Sequence, residues 1–138
     1  FDDDGKIALV GTRGRLMPGG GVEEGESLED AAKRECMEEV GCRIMLGDTI
    51  GYATDFRERR GTQTTHFFVA RLVGDKGVPT TTQEDEQGIG VDWYTPKEAV
   101  ARIIKQIEDL PPIAYNSHFN GRSQLAALKE FLAKKTSE

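Results

Sequence analysis

The chain has 138 residues, 37% of them hydrophobic and 30% charged, with a net charge of −6. That length fits one domain (residues 1–138) around one core, and the composition is that of a globular rather than a disordered protein. The acidic balance argues against holding nucleic acid through bulk electrostatics, and no apolar run reaches the roughly 20 residues that span a bilayer.

In chain order, Asp2–Gly5 reads as a hairpin turn, followed by a short apolar strand at Ile7–Val10. A calcium loop is the weaker reading, because no Glu stands where such a loop needs its bidentate ligand. Pro18 and the triplet Gly19-Gly20-Gly21 form a loop whose backbone can approach a ligand closely. A helix is predicted over Leu28–Val40, with Ser27 as N-cap, Asp30 as its capping-box partner and Gly41 beyond its end.

"CRIMLGDTIGYATDF" is β-prone but broken by Gly47 and Gly51, and "TQTTHFFVARLV" is the strongest strand signal. Arg57–Gly61 is a polar loop between them. Residues 74–90 read as a long irregular stretch, a kind that is usually functional. "VDWY" is a short strand. Thr95-Pro96-Lys97-Glu98 opens a helix running to Glu108, and a last helix is predicted over Arg122–Lys135, with Leu125, Leu128 and Leu132 on one face. The order of elements is that of an α/β or α+β domain with a sheet covered by helices.

The helix at Leu28–Val40 carries the informative anomaly. An ordinary solvated helix keeps its acidic residues opposite its apolar stripe. Here Leu28, Ala31, Ala32, Glu35 and Glu39 follow one helical face, and Glu38 lies three residues after Glu35. Like charges at these spacings cost a few tenths of a kcal/mol per pair, roughly. A divalent cation among them reverses the sign. Three carboxylates offer hard oxygen ligands of the kind that suit Mg²⁺ or Mn²⁺, and a backbone carbonyl of the glycine loop is a further candidate.

The spacing completes the pattern. Gly20, five residues, Glu26, seven residues, then Arg34-Glu35-Cys36-Met37-Glu38-Glu39-Val40-Gly41-Cys42 resembles the Nudix box of the MutT-like Nudix hydrolase superfamily, G-x5-E-x7-R-E-U-x-E-E-x-G-U, with U a bulky aliphatic residue. Every identity position is matched, and chance agreement is on the order of 10⁻⁸ per start point. The U positions hold the smaller Cys36 and Cys42, and the family's first strand, before the hairpin, is missing ahead of Phe1.

The resemblance implies a Nudix-type α/β/α sandwich with a mixed sheet between helices. It implies a Mg²⁺-dependent hydrolase, with Mn²⁺ as a substitute, acting on a nucleoside diphosphate linked to another group. The ligand glutamates map onto Glu35, Glu38 and Glu39, with the Gly19 carbonyl as a further ligand. Glu26 and Arg34 map onto a structural brace between loop and helix. Metal ions suit this chemistry because they neutralise phosphoryl oxygens and acidify bound water. Several relatives take a general base from the loop before a Trp that matches Trp93. Here that loop offers Glu86 first and Glu84 second, with Glu35 as the competing base.

Arg57, Arg59 and Arg60 are candidates to grip substrate phosphates, against the reading of an ordinary charged loop. Tyr52, Phe56 and Phe67 either stack on a base or belong to the core. Tyr52 comes too early, and no Pro is present, to match the dinucleoside polyphosphate or ADP-ribose subfamilies. Cys36 and Cys42 read as core thiols in a reducing compartment rather than a disulfide or a zinc site. No signal peptide is visible, and a cytoplasmic location is expected. The expected partner is a small nucleotide or nucleotide derivative, with no bulk nucleic acid and no membrane. A homodimer is compatible with the family. A non-catalytic Nudix sensing or scaffold module is the alternative, and it predicts loss of a box carboxylate that this chain retains.

Overall fold

The strand at Ile7–Gly11, β1, forms where the apolar run leaves a tight turn. Asp2 builds that turn: its Oδ1 accepts from the amides of Asp4 at 3.0 Å and Lys6 at 2.8 Å, the local bonding that makes Asp a turn former. The computed structural model describes residues 1–11, 15–57, 61–80 and 90–136, the side chains of Arg57 and Thr136 excepted. Candidates Arg59, Arg60, Glu84 and Glu86 lie outside the described residues.

Helix α1 spans Leu28–Val40, as its caps dictate. The Ser27 hydroxyl accepts from the Asp30 amide at 3.0 Å. Gly41 adopts the left-handed conformation, φ 75°, and its N–H reaches the carbonyls of Cys36 and Met37, closing the last turn. The Gly is required twice, since a Cβ there would also collide with the backbone of Val78. Thr80 completes this junction: its amide donates to Glu38 O at 3.0 Å and its hydroxyl to Met37 O at 3.3 Å.

Strand β2, Arg43–Arg57, pairs antiparallel with β3, Gly61–Val73. The sequence reading broke this first strand at Gly47 and Gly51. The strand instead continues through both, and absorbs them as register shifts between Leu46 and Thr49 and between Thr49 and Gly51, the usual way a strand tolerates glycine. Strand β4, Gly90–Tyr94, pairs antiparallel with β1.

The expected single mixed sheet is present as two antiparallel pairs, β1–β4 and β2–β3. A parallel contact comes from Phe1. Its N–H donates to Ala70 O at 2.8 Å and its carbonyl accepts from Leu72 N at 2.9 Å. Bonds to the two neighbours of one residue, here Arg71, are the parallel pattern.

Helix α2, Pro96–Asp109, starts at a complete capping box between Thr95 and Glu98. Helix α3 spans Tyr115–Thr136, seven residues earlier than the sequence predicted. The polar run Asn116-Ser117-His118 and Gly121 hid its first turns. Gly121 is buried at the crossing of α2 and α3, where a Cβ would lie 2.8 Å from Ile107 Cγ1. Its small size, not flexibility, is what the packing requires.

The layers follow from the alternation of β1. Ile7 and Leu9 face one way and pack with Ala99 and Ile103 of α2 and Leu128 of α3. Ala8 and Val10 face the other way and pack with Val40 at the end of α1 and with Cys42. A strand buried on both faces, with α1 on one side and α2 and α3 on the other, gives an α/β/α arrangement.

Candidate active site

Arg34 organises the face of α1 that the sequence singled out. Its Nε donates to Glu26 Oε2 at 2.9 Å and its Nη2 to Glu26 Oε1 at 3.0 Å, a bidentate pair. The same Nη2 reaches Gly21 O at 2.8 Å. Its Nη1 donates to Glu35 Oε1 at 2.9 Å and to Glu38 Oε2 at 3.3 Å. One guanidinium thus joins the glycine loop, the turn carrying Glu26 and two of the candidate ligands.

The glycine loop is shaped to this face. A Cβ on Gly20 would overlap the Glu35 carboxylate, so position 20 admits no side chain while Glu35 keeps its place. The Gly19 amide donates to Glu39 Oε1 at 3.1 Å. Before the loop, Met17 N donates to the Gln124 side chain at 2.8 Å, and Arg15 Nη1 to Asp109 Oδ2 at 2.9 Å. Both helices on the far side of β1 therefore hold the segment that leads into the glycines.

Side-chain exposure separates the carboxylates. Glu26 and Glu35 are 15% and 12% exposed, whereas Glu38 is 34% exposed. The Arg34 guanidinium, and after it the Glu23 amide, hold the Glu26 carboxyl below its ordinary range. The carboxylates of Glu26 and Glu35 in turn keep Arg34 more firmly protonated than usual. Burial, and next the charge of Glu39, push the Cys36 thiol up to about 11. Cys36 and Cys42 are free thiols.

Glu35, Glu38 and Glu39 share one helical face, and their carboxylates are the donor type a hard divalent cation takes. Among the described residues, however, no three His, Cys, Asp or Glu side chains are gathered closely enough to hold a metal ion. Arg34 ties Glu35 and Glu38, while the Gly19 amide ties Glu39. Arg57 ends β2, paired with Gly61, and its side chain is not described.

A sizeable concavity lies elsewhere. A groove of about 1020 Å³ runs between the β2–β3 pair and α2–α3, and its walls include Tyr52, Phe67, Tyr115, Phe119 and Arg122. No residue of the glycine loop or of α1 lines it. Tyr52 and Phe56 stand exposed, so neither belongs to the core. Sequence reasoning missed Gln124. Its signal was a polar residue in phase with buried positions, since Gly121, Gln124 and Leu128 recur at helical spacing.

Among the described residues, no helix is long and apolar enough to cross a membrane. A family-wide comparison matches the NUDIX domain over residues 1–115. A Bacillus subtilis (strain 168) protein provisionally named as an 8-oxo-dGTP diphosphatase is 31% identical over 80 residues, 58% of this chain and 49% of its own length. The chain spans about half or less of the curated relatives it matches.

The solution structure of the E. coli ORF135 protein superposes with a TM-score of 0.59 at 22% identity, covering 99% of this chain and 86% of that one. An ADP-ribose pyrophosphatase from Streptococcus suis 89-1591 superposes with a TM-score of 0.56 at 24% identity, covering 94% and 84%. These two likenesses speak for the fold. The glycine loop and the glutamate face of α1 fall inside the matched span, and on that match the chain belongs to the Nudix family.

Proposed function

We propose that this chain is a Mg²⁺-dependent pyrophosphohydrolase that cleaves a nucleoside diphosphate linked to another group. The observation that carries the reading is the arrangement around Arg34, which fixes the glycine loop against Glu35 and Glu38 on one face of α1. Its support in substrate class is that an 8-oxo-dGTP diphosphatase by name and an ADP-ribose pyrophosphatase resemble this chain, and both substrates contain a nucleoside diphosphate.

Bound Mg²⁺, or Mn²⁺ in its place, supplies charge neutralisation on the phosphoryl oxygens and a water acidic enough to be deprotonated near neutral pH. Glu35, Glu38 and Glu39 would hold it through carboxylate oxygens, which have to come closer together than they lie here, with the Gly19 carbonyl as a further ligand. Glu26 and Arg34 act as the brace: the bidentate pair and the Gly21 contact keep loop and helix in one register. Glu86 takes the proton of the attacking water, with Glu84 and Glu35 as the competing bases. Arg57, Arg59 and Arg60 bind the substrate phosphates. The two free thiols suit a reducing compartment, and the reading places the enzyme in the cytoplasm.

The test is a panel of ADP-ribose, oxidised dGTP, dinucleoside polyphosphates and nucleotide sugars with Mg²⁺, read by phosphorus NMR for the bond cleaved. A nucleoside monophosphate is the expected product from at least one member. Glu38→Gln is expected to lose most turnover while the melting temperature stays close to that of the parent. Full activity in that variant would sink the ligand assignment. Metal binding without turnover of any panel member would favour a sensing module instead.

A further inference from the structure

Gln124 lies on α3, beyond the residues that the family comparison matches. It is buried, at 7% exposure. A backbone N–H can only donate, so the 2.8 Å contact from Met17 N fixes the Gln124 oxygen as the acceptor. The amide nitrogen donates to Asn120 Oδ1 at 3.4 Å, one turn earlier on the same helix. A buried glutamine with both ends of its amide engaged has a defined orientation.

What it holds is a short lever. The anchored amide is that of Met17. Next comes Pro18, whose ring fixes φ and restricts the residue before it. Then comes Gly19, whose N–H donates to Glu39 Oε1 at 3.1 Å. A single residue, Pro18, of the stiffest type, therefore stands between the residue whose amide Gln124 holds and the residue whose amide holds a candidate metal ligand. Arg34 secures the other end of the triplet at Gly21 O. The glycines themselves have little intrinsic rigidity, so their placement depends on these outer attachments.

We propose that Gln124 is a positioning residue for the acidic face of α1. It acts from the opposite side of the sandwich by fixing Met17, and through Pro18 it fixes Gly19 and the direction of the Glu39 carboxylate. The proposal rests on the metal-dependent reading of that face.

The experiment compares the parent chain with Gln124→Met, which keeps length and loses the acceptor, and with Gln124→Glu, which keeps an acceptor oxygen. Mn²⁺ affinity is measured by titration without nucleotide, beside kcat, KM and the metal-free melting temperature. Gln124→Met is expected to bind Mn²⁺ roughly tenfold more weakly, the scale of losses from residues that orient ligands, with kcat falling more than KM rises. Gln124→Glu is expected to recover most of that affinity.

Pro18→Gly loosens the lever without touching α3, and is expected to reproduce the loss of affinity with a smaller change in melting temperature. It also decides the matter if Gln124→Met does not fold. A lowered melting temperature in Gln124→Met with unchanged Mn²⁺ affinity would overturn the proposal, as would unchanged affinity in Pro18→Gly. A parent chain that binds Mn²⁺ but turns over no nucleotide sinks the hydrolase reading alone, and the affinity ratios still decide the role of Gln124.

Discussion

Gly20 lies against Glu35 so closely that the smallest side chain at position 20 would occupy the space of the Glu35 carboxylate. The obstacle is the end of a flexible side chain, so the fold has a way out: Glu35 swings aside and gives up its bond to Arg34. Gly20→Ala is therefore expected to fold with a melting temperature near that of the parent. Its turnover is expected to fall by about tenfold or more, the scale of losing one oriented group. Turnover measured beside a thermal melt checks this, and unchanged turnover would separate position 20 from the chemistry.

Acid should loosen the protein in a defined window. The Glu26 carboxyl is held below its ordinary 4.5, by Arg34 first and the Glu23 amide next. Burial pushes the Asp2 carboxyl up, but Lys76 and the amides of Lys6 and Asp4 outweigh it and hold the group below 3.8. A depressed folded value means that the stabilisation is complete above the unfolded pKa and is lost as pH falls through the folded one.

The melting temperature is thus expected to hold steady from neutral pH to about 5 and then to drop with further acid. Arg34→Met is expected to flatten the part of the drop due to Glu26, and Lys76→Met the part due to Asp2. A drop of unchanged shape in both variants would rule out these pairs as its cause.

Much of α1 and α2 was legible in the sequence because their ends are set by local chemistry: Ser27 and Gly41 for the first, Thr95, Pro96 and Glu98 for the second. The start of α3 was not, because Gly121 reads as a breaker until Ile107 is placed beside it. The spacing of the box pointed to Glu26, Arg34, Glu35, Glu38 and Glu39. Spacing alone was silent on Arg34 bonding to both Glu35 and Glu38, and on Gln124 reaching Met17 across more than a hundred residues of chain. The Arg34 ties lie within one helix and depend on side-chain direction, whereas the tie from Gln124 exists only once α3 has packed against β1.

The Cys36 thiol offers an independent probe of the acidic face. With its pKa pushed up to about 11 by burial and by Glu39, it is protonated at pH 8, and the thiolate is the reactive form. Iodoacetamide at pH 8 is expected to leave Cys36 and the buried Cys42 unmodified in the folded protein and to label both after unfolding. Glu39→Gln removes a negative charge near the thiol and is expected to speed labelling of Cys36. Mass spectrometry reads both outcomes, and rapid labelling of the folded parent would contradict the assigned environment.

The crossing of α2 and α3 makes a stability prediction. Gly121→Ala places a methyl 2.8 Å from Ile107 Cγ1, an overpacked contact that costs about 1–3 kcal/mol. Shortening Ile107 to Ala in the same chain, which removes Cγ1, is expected to return part of that loss. Chemical denaturation of the two single variants and the double variant measures the coupling, and simple additivity would show that the two side chains do not meet.

The covering of β1 by α3 bears on how the gene is divided. The family match ends at residue 115, where α3 begins. A fragment cut at that boundary would keep the whole signature, yet it would lose Leu125, Leu128, Phe131 and Leu132 from the cluster around Leu9 and Ile103. An apolar strand face stripped of its cover is a template for aggregation. The shortest stretch that carries the recognisable pattern is therefore shorter than the stretch that covers the core, and a boundary drawn by resemblance alone would fall inside the folding unit.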